Sequence, residues 1–542
     1  MGLSSKILKA SLVVFAIAFP LLLIVTLMYQ NSLYDHFEQL PREKVFGERI
    51  QNITVEGLRA TDKSNAVPEV QKDSSQQTRI TREKLVNGLL PTSGFDEESC
   101  LSRFESYLYR KTSPHKPSPY LISKLRNYEK LHQRCGPHTR FYNRTIIKII
   151  KSGTKGAATN CKYIVWTPAN GLGNRMMSMV ATFLYAVLTE RVLLVQFNTD
   201  MVGLFCEPFP SSSWILPENF PFINNKRYKE TYESLLHKDK ENNSQLIAPS
   251  VLHLNLQHTH NSPERFFHCD HSQDLLQKVA VLIFMSDQYF VSSLFIISSF
   301  NQELSKMFPK KDTIFHYLGR YLFHPSNEVW GTINRFYQAY LAKADERVGL
   351  QIRLFNPDLT PYETIMGQIL NCTLQHKILP ELDTRNGAVA SPRKTQTLKS
   401  VLVASLHPEY GENLKAMYLS KPTVTGEIVG VYQPSHEEKQ KSFDNTHNIK
   451  ALTEMYLLSF CDVLVTSSAS TFGYVAQSLG ALKPWILHKA LDANIPSPAC
   501  VRDFSMDPCY HHPPTHDCRG NSAHDLPYTS KCADYSFGVK LS

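Results

Sequence analysis

A single segment, residues 462–487 with the sequence DVLVTSSASTFGYVAQSLGALKPWIL, constrains the fold of this chain more than any other. Residues 463–466 are apolar or β-branched, which predicts a buried parallel strand. Residues 472–479 can form a helix that Gly480 ends, and the letters KPWIL open another strand. Four hydroxyl side chains stand between the first strand and the helix: Ser467, Ser468, Ser470 and Thr471.

A strand that runs into a hydroxyl-rich turn and a helix N-terminus is suited to bind an anion. Free backbone N–H groups, hydroxyl donors and the positive end of the helix dipole meet at one spot. In an open α/β fold that spot lies at the C-terminal edge of a parallel sheet. The segment therefore predicts a nucleotide-phosphate site, although a Ser/Thr-rich loop that only caps the helix fits the same letters.

Strands and helices alternate in two blocks of the chain. The first block contains strands at 161–167 and 192–197 around a helix at 176–189. The second contains strands at 348–353, 400–405 and 427–433 with helices at 361–378, 411–419 and 448–460, and it leads into the segment above. Such alternation argues for βαβ units and a parallel sheet in each block. The expected fold class is therefore α/β, with two Rossmann-like domains whose sheets face a cleft.

The N-terminus predicts a membrane anchor. Residues 10–29 carry no charge and are long enough to cross a bilayer. Lys6 and Lys9 precede them and acidic residues follow, which leaves residues 1–9 in the cytosol and the rest of the chain in the lumen. A cleaved signal peptide is the alternative, but it would have a shorter apolar core and a small-residue cleavage site.

The lumenal part divides by composition. Residues 30–84 are polar and poor in aromatic residues, which is typical of a flexible stem. Two α/β domains are expected at 85–340 and 341–500, followed by a Cys-rich tail at 501–542. The formal charge of +9 suits a nucleotide sugar, an acidic glycan or a membrane face, while the lumenal topology excludes nucleic acid. Four N-x-[ST] sequons predict N-glycosylation at Asn52, Asn143, Asn242 and Asn371.

The 11 cysteines fit an oxidising compartment. The last four, which are crowded into the tail, predict disulfides. Zinc is the alternative because histidines are interleaved with them, but the spacing lacks the CxxC pairs of structural zinc sites. The odd count leaves at least one thiol unpaired in a monomer, and Cys461, inside an apolar run, is the candidate. The residues of the tail concerned are Cys500, Cys509, Cys518 and Cys532 with His511, His512 and His516.

The turn GLGNR, residues 171–175, separates a predicted strand from a predicted helix. Gly171 and Gly173 allow tight turning and a close backbone approach, and Arg175 places a charge at the helix mouth. The turn is not a dinucleotide fingerprint, because the third glycine and the acidic residue farther on are both missing. An anion-binding turn and a purely structural turn remain the two interpretations.

Three further candidates follow predicted strands. Arg353 ends the strand 348–353, and its planar charged fork suits bidentate pyrophosphate binding, with a strand-end salt bridge as the alternative. Asp287 follows the apolar run 279–286 and is a candidate base or hydroxyl anchor, unless it only caps a helix or an Asx turn. His436 comes just after a strand and can meet a phosphate or a hydroxyl, or simply start a helix.

No metal site is expected. The run His268, Cys269, Asp270 and His271 resembles a metal cluster, but beside a cysteine expected to form a disulfide it is interpreted as a solvated loop. The chain contains no D-x-D sequence, which argues against the divalent-metal clamp that many nucleotide-sugar enzymes place on the diphosphate.

With these motifs in this order, the chain resembles the plant fucosyltransferase family whose best-known member fucosylates xyloglucan. The motifs are GLGNR at 171–175, VGLQIR at 348–353, VYQPSHEE with HNIKALTEMYLLS within 431–459, and VTSSASTFGYVAQSLGALKPWIL at 465–487. The resemblance covers roughly residues 85–535. It implies a type II Golgi membrane protein with a glycosyltransferase-B-like fold, GDP-fucose as the donor substrate, no metal or other cofactor, and inversion of the anomeric centre.

The resemblance also implies roles for particular positions. Arg353 would bind the pyrophosphate, the first α/β domain would hold the acceptor and the second the GDP-sugar. Asp287 falls where the family has a candidate catalytic carboxylate. The sequence departs from the family pattern at Ala469, in GALKP where GGLKP is more usual, and in the His-rich loop at 252–268. Residues implied to line the nucleotide site or the cleft are Asn174, Arg175, Ser467, Ser468, Thr471 and Phe472.

The expected activity is α-1,2-fucosyl transfer to a galactose of a plant cell-wall glycan, with xyloglucan as the first acceptor. Arabinogalactan-protein or another glycan is the alternative acceptor. A lumenal partner that binds GDP but releases no fucoside is the alternative from a different class. A second copy of the chain and other Golgi glycosyltransferases are the expected protein partners.

Overall fold

The computed structural model describes residue 82 and residues 84–542, apart from 154–155, 242–247, 259–262, 355–359, 386–395, 491–492 and 516–527. The chain divides into two units between residues 71 and 72, and all of the described residues belong to the second unit, Lys72–Ser542. The predicted cytosolic tail and anchor, nearly all of the stem, and the sequons at Asn52 and Asn242 lie outside the described residues. Within the described part, no helix is long and apolar enough to cross a bilayer.

The second unit contains two parallel sheets. The first sheet has four parallel strands in the order β2-β1-β4-β3, so the strand order reverses between β1 and β4. Strands β1, β2 and β4 are apolar runs that are buried on both faces along most of their length, as the sequence predicts for parallel strands. Their bounds are β1 Tyr163–Thr167, β2 Val192–Val195, β3 Val251–Asn255 and β4 Val281–Met285.

The second sheet has six strands in the order β10-β9-β8-β5-β6-β7, all parallel except β10. The strand order reverses between β5 and β8, which creates a second switch point. A separate two-stranded antiparallel hairpin closes the C-terminus. The bounds are β5 Glu346–Ile352, β6 Leu398–Ser405, β7 Ile428–Tyr432, β8 Val463–Ser467, β9 Trp485–Leu487 and β10 Cys500–Arg502, with β11 Thr529–Lys531 and β12 Val539–Leu541 in the hairpin.

Helices connect and cover the strands. Those before the second sheet are α1 Leu101–Glu105, α2 Pro119–Cys135, α3 Arg140–Ser152, α4 Leu172–Leu188, α5 Tyr232–Glu241, α6 Asp270–Lys278, α7 Val291–Leu294, α8 Ser298–Met307, α9 Ile314–Leu322 and α10 Asn327–Phe336. The helices that connect the strands of the second sheet are α11 Tyr362–Gln375, α12 Glu409–Ser420, α13 Asn445–Ser459 and α14 Thr471–Gly480.

One face of each sheet contributes to a single hydrophobic core. Trp166 of β1 and Leu464 of β8 belong to this shared core, together with apolar residues of α4, α9, α13 and α14. The alternate residues of the same strands face two separate clusters, one for each sheet. Because α4 and α14 follow the two switch-point strands and pack on each other, the shared core fixes how the two switch points lie relative to one another.

The predicted disulfides are confirmed among the residues that the structure describes. Cys500 pairs with Cys372 and Cys509 with Cys532, while Cys461 is free and buried as expected. Further disulfides join Cys100 with Cys206 and Cys135 with Cys161, and Cys269 is also disulfide-bonded. Cys518 and His516 lie outside the described residues.

Two local predictions were wrong, and a third, the end of α14 at Gly480, was confirmed. Helix α4 begins at Leu172 and not at Met176, because Gly173 and Asn174 form its first turn. Gly480 is the last residue of α14, and Ala481 takes the left-handed position that ends the helix, with φ of 56°. The run 268–271 is not a solvated loop, because His268 is buried and Asp270 begins α6.

Candidate active site

The two switch points face one cleft. Gly171–Asn174 line it from the first sheet, and Ile352–Leu354, Thr471 and Phe472 line it from the second. Its volume is about 910 Å³ when the open mouth is included. This size suits a nucleotide sugar, and ligands of open α/β folds bind at this position.

Arg353 lies where β5 ends and supplies a cation to the cleft. Its backbone N–H donates to the Ser467 hydroxyl at 2.9 Å, and Nη2 of its guanidinium donates to Oε1 of Gln440 at 3.2 Å. Burial lowers the pKa of Arg353, but an Arg side chain remains protonated at physiological pH. This hydrogen bond joins the end of β5 to the end of β8. It therefore fixes the backbone position from which the Arg353 side chain extends into the cleft.

The hydroxyl turn after β8 reaches the cleft only at its end. Thr471 and Phe472 line the cleft, whereas Ser467, Ser468 and Ser470 are buried outside its lining. The turn is tight because Ala469 adopts φ of 50°, and its N–H donates to the Asp534 carboxylate at 2.8 Å. The N-terminus of α14, which is the positive end of the helix dipole, therefore begins at the cleft wall.

The glycine turn brings the first sheet against α14. A Cβ atom on Gly173 would lie 2.9 Å from the backbone of Thr471, and one on Gly171 would lie 2.8 Å from Nε2 of Gln440. Asn174 accepts a hydrogen bond from the Thr471 hydroxyl at 3.0 Å and donates to the backbone oxygen of Asp287 at 3.3 Å. Both glycines and Asn174 line the cleft.

Arg175 is not in the cleft, contrary to the charge predicted at the helix mouth. Its side chain is 0% exposed and pairs with Asp200. Its Nε also donates to the backbone oxygen of Asn170 at 2.8 Å and its Nη2 to that of Ser442 at 3.2 Å. Because α4 begins earlier than predicted, Arg175 ends the first turn inside the protein and ties three loops together.

Asp287 follows β4, as predicted, but lies behind the cleft wall. Its side chain is 6% exposed, and its two oxygens accept hydrogen bonds from Asn170 and from Nε2 of Gln288, the latter at 3.0 Å. It neither caps a helix nor lines the cleft. The negative charge of Asp287 favours the protonated form of His511. Burial has the larger effect and lowers the pKa of His511 to about 4.

A second polar cluster adjoins the hydroxyl turn and was missed in the sequence. The Tyr474 hydroxyl donates to Asp534 at 2.6 Å and lies 3.2 Å from Nε2 of His511. Burial, with the Asp534 charge, raises the pKa of Tyr474. Asp534 belongs to no motif in the sequence of the tail, and nothing in that sequence shows that the tail folds back onto α14.

His436 is exposed and does not line the cleft, and no helix starts at it. Its neighbours Ser435 and Glu437 point into the cleft instead. The strand β7 ends at Tyr432, so alternation along the strand no longer governs which side chain of the loop faces inward.

Glu454 is a cleft residue that was not predicted from the sequence. It is 6% exposed on α13, lines the cleft and accepts a hydrogen bond from the Ser435 hydroxyl at 2.6 Å. Burial raises the pKa of Glu454 to about 8. The available signal was a single acid within the otherwise apolar run ALTEMYLLSF.

Comparisons with known proteins identify the relatives of this chain. A family model described as xyloglucan fucosyltransferase matches residues 59–519. A galactoside 2-alpha-L-fucosyltransferase of Arabidopsis thaliana is 49% identical over 476 residues, which is 86% of this chain and 84% of that protein. The protein of the same name from Pisum sativum is 48% identical over 478 residues, with the same two coverages. The structure of an Arabidopsis thaliana FUT1 mutant in complex with GDP has a TM-score of 0.77 and 48% identity, and the match covers 85% of this chain and 100% of that one.

Proposed function

The chain belongs to the xyloglucan fucosyltransferase family, and we propose that it transfers L-fucose from GDP-fucose to the 2-hydroxyl of a galactose in a plant cell-wall glycan. Galactosylated xyloglucan is the proposed acceptor. The α-L product would form from the β-L-configured donor by inversion, with one displacement at the anomeric carbon.

The observation that supports this proposal most is the pairing of Arg353 with the N-terminus of α14 in one cleft. Both sites stabilise negative charge, and both lie at the switch point between β5 and β8. When the fucosyl group leaves, charge builds on the diphosphate, and these groups would receive it. Loss of one such donor typically costs about 3–4 kcal/mol of transition-state stabilisation.

The acceptor would lie on the side of the first sheet. The Asp287 carboxylate is the proposed base or acceptor-orienting group. Asn174, which lines the cleft, donates a hydrogen bond to the backbone oxygen of Asp287 and so connects this residue to the cleft wall. Asp287 lies behind that wall, so a water molecule or a small shift of the 170–174 turn would be needed for proton transfer. The two sheets and the cleft between their switch points fit the glycosyltransferase-B-like arrangement.

The proposed setting is the Golgi lumen, with residues 10–29 as the signal-anchor of a type II membrane protein. A metal ion is not required by the proposal, because Arg353 and the α14 N-terminus supply positive charge and the chain has no D-x-D sequence. N-glycans are proposed at all four sequons. Of these, Asn143 and Asn371 lie among the described residues, and both are exposed.

The test is incubation of the full-length protein in detergent with GDP-fucose and galactosylated xyloglucan fragments, followed by linkage analysis. The expected product carries fucose α-1,2-linked to galactose. Transfer to arabinogalactan acceptors but not to xyloglucan would reassign the acceptor. Binding of GDP without any fucoside, on a panel that includes both acceptors, would overturn the enzyme and favour a silent partner of other transferases.

A further inference from the structure

A groove between the end of α11 and the segment 495–499 shares no lining residue with the cleft described above. Asn371, Leu374 and Gln375 line it from α11. They are three and four positions apart, so they share one face of the helix. Residues 495–499 form the opposite wall, and the volume is about 970 Å³ when the open mouth is included. This volume is within the usual range of ligand pockets, about 300–1,000 Å³.

The two walls of the groove are joined by bonds beside it. The side-chain amide of Gln368 on α11 donates to the backbone oxygen of Ala499 at 2.8 Å. Cys372, one turn farther along α11, forms the disulfide with Cys500. The segment 495–499 therefore has a fixed position against α11, and the groove is a constant feature of the fold.

The surface of the groove is uncharged and largely apolar. None of the described residues that line it carries a charge. Ile495 is 40% exposed, and Pro496 and Pro498 continue its apolar surface. Gln375 and Ser497 add an amide and a hydroxyl, which can both donate and accept hydrogen bonds. Such a surface suits an uncharged ligand that has an apolar face and a few polar groups, which is the chemistry of an N-acetylated sugar.

Asn371 is also the first residue of a sequon, because residues 371–373 read N-C-T. Asn371 is exposed, whereas Thr373 is 0% exposed and its hydroxyl donates to the backbone oxygen of Ile369 at 2.8 Å. Recognition of a sequon involves the Thr hydroxyl. A glycan must therefore be attached before α11 folds and before Cys372 pairs with Cys500, so that the groove forms beside a sugar already in place.

We propose that the first N-acetylglucosamine of an N-glycan on Asn371 lies in this groove, an inference that rests on the lumenal setting of the proposed function. Its ring face and acetyl methyl group pack on Ile495 and the two prolines, and its acetamide meets Gln375. Because the sugar is covalently attached to one wall, its effective concentration at the other wall is high. The glycan thereby stabilises the segment that leads to Cys500.

The test compares thermal midpoints of glycoforms of the full-length protein in detergent. Three substitutions, Asn52→Gln, Asn143→Gln and Asn242→Gln, leave one sequon, and the protein is made in cells that attach only oligomannose glycans. Endoglycosidase H then trims the glycan to a single N-acetylglucosamine, and Asn371→Gln provides the form without sugar. The intact and trimmed glycoforms are expected to have equal midpoints, about 2 °C or more above that of Asn371→Gln.

Ile495→Ser removes the apolar wall, and Val424→Ser is its matched control, because Val424 is also exposed but lies outside the groove. The difference between the trimmed form and Asn371→Gln is expected to disappear in Ile495→Ser and to persist in Val424→Ser. Equal midpoints with and without the first sugar would overturn the inference. A difference that trimming abolishes, or that Ile495→Ser leaves unchanged, would also overturn it.

Release of glycans from the native wild-type protein by peptide-N-glycosidase is a second measurement, which needs no variant. The glycan on Asn371 is expected to be released more slowly than the one on Asn143, which is exposed on α3 outside the groove. Mass spectrometry of the peptides follows both, and equal rates would overturn the inference. Glycans at other sequons but none at Asn371 would overturn it while leaving the proposed function intact. Absence of glycans at every sequon would contradict the lumenal setting as well, whereas absence of fucosyl transfer would contradict the proposed activity alone.

Discussion

Asn174 and Thr471 are joined by a hydrogen bond of 3.0 Å, in which the Thr471 hydroxyl donates to the Asn174 side-chain oxygen. Each residue lies in the first turn of its helix, Asn174 in α4 and Thr471 in α14. The bond therefore connects the helix that follows β1 to the helix that follows β8. The shape of the donor cleft depends on how closely these two helix N-termini approach.

Gly173→Ala is expected to separate the two helices. The new Cβ would lie 2.9 Å from backbone atoms of Thr471, which cannot rotate away. Such overpacking typically costs about 1–3 kcal/mol of stability, and here it also displaces the α14 N-terminus. Thermal unfolding and GDP titration should both show a loss. Gly331→Ala on α10 is the control, because its Cβ meets only the mobile end of Arg335 at 3.1 Å and stability should not fall. Equal behaviour of the two variants would contradict the argument.

Arg353→Lys is expected to lose most activity while the protein stays folded. A lysine supplies a point charge and cannot reproduce the planar fork that binds two phosphate oxygens. Arg347→Lys is the matched control on the same strand, because Arg347 pairs with Asp462 and does not line the cleft. Turnover of GDP-fucose with galactosylated acceptor measures both. Near-normal turnover by Arg353→Lys would remove this residue from the site.

The strands β1, β2 and β4 to β9 could be predicted from the sequence because parallel strands in the interior of a sheet are largely apolar runs, whereas β3 and β10 to β12 were not predicted. The start of α4 could not, since glycine disfavours helices and only the close approach of Thr471 explains Gly173 within one. The position of Arg353 in the cleft could be predicted because it follows from the end of a strand. The burial of Arg175 could not be predicted, because it depends on contacts with loops from distant parts of the chain.

Glu454 and Asp534 show the other limit of sequence reasoning. The carboxyl of Glu454 meets Ser435, and Asp534 meets Tyr474 and the N–H of Ala469. None of these pairs lies at a spacing that a helix or a strand would enforce. They form because the loop after β7 and the C-terminal tail fold back on α13 and α14, and the sequence carries no periodic signal for such contacts.

Ala481→Gly is expected to stabilise the protein. Ala481 ends α14 with φ of 56°, a conformation in which a Cβ is unfavourable and which glycine adopts freely. The family pattern GGLKP has glycine at this position. The gain should be up to about 1 kcal/mol after the larger entropy of the unfolded glycine chain is subtracted. Ala476→Gly in the interior of the same helix is the control and should lower the thermal midpoint. A lower midpoint for Ala481→Gly would refute the helix-end interpretation.

Activity is expected to survive EDTA. The cleft has a guanidinium and a helix N-terminus at the position where a metal-dependent enzyme would hold its ion. Initial rates of fucosyl transfer should be equal before and after chelation and gel filtration. Loss of activity that manganese or magnesium restores would show that a metal takes part in catalysis.

Asp287→Asn tests whether this carboxylate takes part in catalysis. If it acts as the general base, the rate should fall by about 10²–10⁴ while GDP affinity is unchanged, because the group lies on the acceptor side. Asp287 also accepts hydrogen bonds from Asn170 and Gln288, and an amide can satisfy only one of these donors with its single oxygen. Asn170→Ala is therefore the necessary control, since it removes one of the same hydrogen bonds but leaves the carboxylate.

A large rate loss in Asp287→Asn alone supports the role of Asp287 as the general base. Equal losses in both variants mean that the carboxylate only positions the 170–174 turn, and a loss below tenfold in Asp287→Asn would favour a transfer in which water accepts the proton.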